Sequence, residues 1–210
     1  MIINRTTVII DYDTGNLCSL GNAIARLGCD YIITADPNII RSAGRVILPG
    51  VGEASSAMIK LRERGLDLVL KELTTPVLGI CIGMQLMCSY SEEGNTSCIG
   101  IFPNRVIKLS DNGESALKGE NFKIPHMGWN RIAKLSSPLF SGLKEGEYQY
   151  FVHSYAPEIL TNTVVKTIAQ TNYGIGFASA LNLNNFYGTQ FHPEKSGSGG
   201  ELILKNFLNL

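Results

Sequence analysis

Four short, almost wholly apolar runs separated by helical spacing constrain this chain most. They are Thr7-Val8-Ile9-Ile10-Asp11, Tyr31-Ile32-Ile33, Arg45-Val46-Ile47-Leu48 and Val77-Leu78-Gly79-Ile80. A strand without polar alternation has to be covered on both faces. Between the runs, Leu17, Leu20, Ala23, Ile24 and Leu27 recur at helical spacing through Asn16–Leu27, with Gly28 where a helix C-cap belongs. Ala54–Arg64 reads as a second helix, and Met84–Ser89 opens a third. Strand alternating with helix predicts a parallel core with helices on both faces.

Beyond about Asn95 the pattern changes. Val106–Leu109, Tyr148–Val152, Val164–Ile168, Ile175–Ala178 and Phe186–Phe191 read as strands, some separated by short polar turns at Asn162 and Asn184-Asn185. This half is expected to be antiparallel and β-rich, ending in a helix over Gly200–Leu208. Gly113–Gly119 reads as a polar loop. With 210 residues, 44% of them apolar, and neither a repeat nor a low-complexity linker, one α/β domain over 1–210 is expected.

Charge and cysteine usage exclude other classes. Eighteen basic residues balance eighteen acidic ones, so no global field draws the chain to nucleic acid or an anionic membrane. The longest apolar stretch, Val77–Cys88, is too short to cross a bilayer and contains Gln85. Met1–Arg5 has no signal-peptide character. The five cysteines are odd in number and form no CxxC, which predicts reduced thiols in a cytoplasmic protein. With three histidines, one of them assigned below, no metal site is expected, nor any cofactor.

Gly79-Ile80-Cys81-Ile82-Gly83 follows a buried strand and precedes a helix. This spacing parallels the G-x-S-x-G turn that lifts a nucleophile above a sheet. A helix N-terminus beside the sulfur favours thiolate, and the Ile82 N–H points toward a developing oxyanion. Alone, the pentapeptide fits a packed cysteine equally well. Phe191-His192-Pro193-Glu194 supplies a base and its orienter, because residues two apart in extended backbone share a face. Alone, that is most simply a surface pair. If the strands before Cys81 and His192 run the same way, both groups reach one sheet edge as nucleophile and base. Pro49-Gly50-Val51-Gly52 ends another buried run and leaves the Val51 peptide free to supply a second oxyanion donor.

Over nearly its whole length the chain resembles the class I glutamine amidotransferases, in particular the glutaminase subunits of imidazole glycerol phosphate synthase in histidine biosynthesis. The matching blocks are Asp11-Tyr12 with Gly15-Asn16, Leu48–Gly52, Leu78–Gln85, Ile124–Asn130, Tyr150–Tyr155 and Gln190–Ser196. The resemblance implies a flavodoxin-like mixed sheet and a triad of Cys81, His192 and Glu194. It implies glutamine contacts from Gly50, Gly52, Gln85, Glu93 and His153-Ser154-Tyr155. It also implies a heterodimer with a cyclase subunit that receives ammonia, with Asn16, Trp129 and Lys195 on the shared face. Asp13 stands where the family often has glycine. If binding of the partner and its nucleotide substrate orients the Val51 peptide, ammonia is not wasted. The rival readings are a glutaminase feeding pyridoxal-phosphate or another synthase, a silent regulatory subunit, and a generic thiol hydrolase.

Overall fold

A computed structural model describes residues 6–13, 17–111, 122–161 and 163–210. Asn16, Asn162 and the Gly113–Gly119 segment lie outside them. The main sheet has seven strands in the order β11 (Lys166–Tyr173), β12 (Ile175–Leu183), β13 (Phe186–Thr189), β4 (Val77–Ile80), β3 (Arg45–Leu48), β1 (Thr7–Ile10), β2 (Tyr31–Thr34). Its first four strands in sequence are β1 (Thr7–Ile10), β2 (Tyr31–Thr34), β3 (Arg45–Leu48) and β4 (Val77–Ile80), all parallel to their neighbours. β1 and β4 are buried along their whole length, as their unbroken apolar character requires. β2 is the exception: it forms the sheet edge, and Ile32 and Ile33 are exposed.

The helices are α1 (Leu17–Arg26), α2 (Pro37–Ser42), α3 (Ala54–Glu63), α4 (Leu66–Glu72), α5 (Ile82–Met87) and α6 (Gly197–Phe207). α1 turns Leu20, Ala23 and Ile24 onto the sheet. Burial of each Leu or Ile contributes about 1.5–3 kcal/mol. α2 and α4 escape the apolar periodicity because each is short. α2 nevertheless carries a local start signal: the Asp36 carboxylate accepts the Asn38 N–H at 2.8 Å, and Pro37 opens the first turn. α5 begins at Ile82, two residues before the expected start, so Cys81 abuts the helix directly. α6 begins at Gly197, three residues earlier than expected.

The second half is β-rich and mixed. β11 (Lys166–Tyr173) and β12 (Ile175–Leu183) are antiparallel, as are β12 and β13 (Phe186–Thr189), but β13 runs parallel to β4. β11 starts at Lys166 rather than Val164, which is 79% exposed. β12 extends five residues past Ala178.

A four-stranded sheet, in the order β10-β7-β5-β6, comprises β5 (Tyr90–Ser91), β6 (Thr96–Ser97), β7 (Arg105–Lys108) and β10 (Tyr155–Pro157). β8 (His126–Arg131) pairs with β9 (Tyr148–His153), placing His126 opposite His153 and Trp129 opposite Tyr150. β8 is absent from the sequence reading because its polarity is inverted. Its His126 points inward, while Met127 and Trp129 are 63% and 55% exposed.

Candidate active site

Three neighbouring parallel strands, β3, β4 and β13, deliver their carboxyl ends to one edge, where open α/β sheets build sites. Ile80 pairs with Thr189, and the Cys81 N–H donates to the Thr189 carbonyl at 2.7 Å. Cys81 has φ 53° and ψ −111°, the left-handed side of backbone space, which a residue with a Cβ adopts only when its surroundings impose it. Close packing imposes it here. A Cβ on Gly83 would lie 1.9 Å from the Leu48 carbonyl oxygen, and one on Gly79 would lie 2.7 Å from the Met84 nitrogen. The helix after Cys81 therefore sits against the end of β3 at a distance only glycine allows.

His192 follows β13 by three residues and reaches the same cleft. The residue is 2% exposed, and Nδ1 lies 2.9 Å from Glu194 Oε1. The route to that contact differs from the extended backbone read from sequence. β13 ends at Thr189, and Pro193–Lys195 forms a 3-10 turn that folds Glu194 back onto the ring. Pro193 fixes φ for that turn at its first position. Ser196 secures it by donating to the His192 carbonyl at 2.6 Å while accepting the Tyr150 N–H at 2.9 Å. Among the described residues, His192 Nε2 is buried and has no hydrogen-bond partner. Burial pushes the imidazole down, but the Cys81 sulfur and the Glu194 carboxylate outweigh it and raise it to about 10.

A cavity of about 320 Å³ joins these groups. It is lined by Val51, Gly52, Cys81, Ile82, Gln85 and Glu93 together with Pro125, Val152, His153, Ser154, Tyr155 and His192. Of the residues assigned to catalysis, oxyanion binding or substrate, Gly50 and Glu194 lie off this cavity. Gly50 packs instead on the α5 start, where a Cβ would meet the Gly83 nitrogen at 2.6 Å. Glu194 stands behind the His192 ring. The turn after β3 is tied down by the buried Tyr12 hydroxyl, which donates to the Pro49 carbonyl at 2.7 Å. Gly52 has φ +101°. The Ile82 amide opens α5 and has no acceptor within its own helix.

A polar chain runs back from His153. His153 Nδ1 lies 2.9 Å from the Tyr155 carbonyl, which can only accept, so this nitrogen holds the proton. His153 Nε2 then accepts from His126 Nδ1 at 3.1 Å, and His126 Nε2 accepts from the Asn130 amide at 3.2 Å. Burial drives His153 down to about 3, with the neighbouring His126 and His192 pushing the same way against the Tyr155 carbonyl. Burial likewise lowers His126 to about 4. Both rings are neutral at pH 7. Burial raises the Glu93 carboxyl while the Ala54 N–H, donating to Oε2 at 2.8 Å, holds it down.

The sequence reading passes over Gln190, Pro125 and Val152. Gln190 stands in a matching block and directly follows β13, beside Cys81. Trp129 and Lys195 are both exposed. Asp13, at φ 62°, explains why its position suits glycine; its carboxylate pairs with Arg64. All five cysteines are free. Among the described residues, no three His, Cys, Asp or Glu side chains gather as metal ligands would, and no helix is long and apolar enough to cross a membrane.

Cys81 and His192 line one cavity, with Glu194 behind the ring, and comparison with known proteins decides the family. Residues 8–210 match the model described as glutamine amidotransferase class-I. The chain belongs to the class I glutamine amidotransferases. The amidotransferase is 49% identical over 202 residues to imidazole glycerol phosphate synthase subunit HisH of Bacteroides fragilis, covering 96% of this chain and 98% of that one. It is 45% identical over 205 residues to the HisH subunit of Yersinia pseudotuberculosis, covering 97% and 98%. A solved structure described as PurLQS from Thermotoga maritima superposes with a TM-score of 0.68 at 14% identity, covering 97% of this chain and 97% of that one, and so shares the fold.

Proposed function

We propose that this amidotransferase is the glutaminase subunit of an imidazole glycerol phosphate synthase, hydrolysing glutamine and passing ammonia to a cyclase subunit. The observation that carries this reading is Cys81 and His192 facing one cavity whose other walls are Gln85, Glu93 and His153–Tyr155, in a chain related over nearly its full length to HisH subunits.

Glutamine enters with its side-chain amide over Cys81. Glu93, with one oxygen held by Ala54, offers the other to the substrate ammonium. Gln85 Oε1, buried without a partner among the described residues, accepts a further substrate N–H. The Cys81 thiolate attacks the amide carbon, and the carbonyl electrons move to oxygen. The Ile82 N–H and an N–H of the Gly50–Gly52 turn stabilise that oxygen; each such donor is worth about 2.7–4 kcal/mol of barrier. The His192 imidazolium gives its proton to the amide nitrogen as the C–N bond breaks and ammonia leaves. The now neutral ring takes a proton from water, whose oxygen attacks the thioester. The C–S bond breaks, releasing glutamate and the thiolate. Glu194 holds the ring throughout.

The cyclase docks on the face that carries Trp129 and Lys195. Trp129 stands edge-on to Tyr150 with ring centroids 6.1 Å apart. The Tyr150 carbonyl in turn accepts the His192 N–H at 2.9 Å. That face therefore lies one strand from the base, and docking there is coupled to the site through β9. An amphipathic Trp at such a surface is a common binding anchor.

The test is product formation by this chain with a cyclase subunit, driven by glutamine or by added ammonium. Cys81→Ala loses the glutamine-driven reaction and keeps the ammonium-driven one. Glutamine-driven turnover that survives this substitution refutes the reading.

A further inference from the structure

We propose that Gln190 is a catalytic residue beyond the triad, its side-chain N–H donating to the Cys81 sulfur and holding it as the attacking thiolate. This rests on the reading of Cys81 as nucleophile.

Register places the two residues together. Ile80 and Thr189 are partners in the parallel β4–β13 ladder, and Cys81 and Gln190 are the next residue of each strand. Gln190 Nε2 lies 3.6 Å from Cys81 Sγ, and both side chains are buried. Which end of a carboxamide faces a neighbour has to be argued from partners, and here the partners leave one solution. The Tyr155 backbone carbonyl can only accept. The Gln85 atom 2.8 Å from it is therefore the nitrogen. The same nitrogen directs its second proton at Gln190, 3.0 Å away, so the Gln190 atom there is the oxygen. That leaves the Gln190 nitrogen facing sulfur. A backbone carbonyl more than thirty residues from either glutamine thus fixes which end meets the nucleophile.

The sulfur's other polar neighbours divide by the form they favour: the His192 imidazolium, backed by Glu194, favours the thiolate. The Val152 carbonyl, 3.9 Å away, can accept an S–H and repels a thiolate. Gln190 offers an N–H, which gains strength when the acceptor is charged. The donor is shielded from water, and because Gln85 holds its oxygen, it needs no reorientation when the sulfur ionises.

The experiment is the rate of iodoacetamide alkylation at Cys81, followed by peptide mass spectrometry from about pH 5.5 to 9.5, on the full chain and on Gln190→Met and Gln190→Glu. Peptide resolution separates Cys81 from the exposed Cys18. Alkylation follows the thiolate fraction. Gln190→Met moves the alkylation profile toward higher pH, so alkylation of Cys81 falls most at the acid end of the range. Glutamine turnover with the cyclase subunit falls with it and recovers as pH rises. Gln190→Glu keeps an acceptor for Gln85 but removes the N–H, and moves the profile in the same direction. Variants that fold and alkylate with the unsubstituted profile overturn the proposal, whatever happens to turnover, because a purely structural role leaves that profile in place. If alkylating Cys81 in the unsubstituted protein leaves glutamine turnover intact, the nucleophile reading itself is wrong.

Discussion

Lowering the pH from 7 to 5 acts on two of the three imidazoles in this chain, His126 and His153. In the unfolded chain each takes up a proton near pH 6.5. In the folded protein burial holds them neutral down to about 4 and about 3. The unfolded state therefore binds more protons between these values, and stability falls as pH falls. At pH 5 the unfolded imidazoles lie about 1.5 units below their midpoint. At 1.36 kcal/mol per unit each contributes a loss of about 2 kcal/mol, or about 4 kcal/mol together. His192 adds nothing to this loss. Its folded value is raised to about 10, so its contribution is complete below pH 6.5 and disappears only as pH climbs toward 10. The assay is urea unfolding followed by far-ultraviolet circular dichroism at pH 7 and pH 5, for the unsubstituted chain and for His126→Gln. The expected loss is about 4 kcal/mol, about halved by the substitution, against a typical total stability of about 5–15 kcal/mol. Stability that changes by less than about 1 kcal/mol, or an undiminished loss in His126→Gln, refutes the assignment of two neutral buried rings.

Two further outcomes follow from the geometry. Gly83→Ala forces a methyl group into the Leu48 carbonyl and lowers stability by about 3 kcal/mol or more in the same urea assay, because neither backbone can yield cheaply; a loss under about 1 kcal/mol means the β3–α5 contact is looser than described. Glu194→Gln removes the charge that favours the His192 imidazolium and lowers glutamine turnover by about 10²–10⁴-fold. Ammonium-driven turnover by the partner stays unchanged, and a glutamine loss of less than about fivefold removes the need for a carboxylate there.

The legible parts of this molecule are those in which one physical demand dominates the residue choice. Unbroken apolar runs announce β1, β3 and β4, and the glycines around Cys81 announce a tight turn. The location of the His–Glu pair was readable, but its backbone was not: Pro193 is compatible with both an extended strand end and the 3-10 turn that forms. The parallel pairing of β13 with β4 joins residues about a hundred positions apart, and no local pattern encodes it. β8 hides because Met127 and Trp129 point outward and His126 inward. Gln190 was visible only as part of a motif. Its orientation depends on Gln85 and Tyr155, which the sequence places far away and the fold places side by side.

The seam between β4 and β13 also governs when the chemistry switches on during synthesis. The ribosome finishes the sulfur-bearing elbow more than a hundred residues before it makes the imidazole that serves it. On the proposed mechanism, a nascent chain halted before Phe186 holds the thiol but lacks the strand that brings His192, and hydrolyses no glutamine. Activity arises only when the last strand of the sheet slots in beside β4, which makes a finished fold the licence for releasing ammonia.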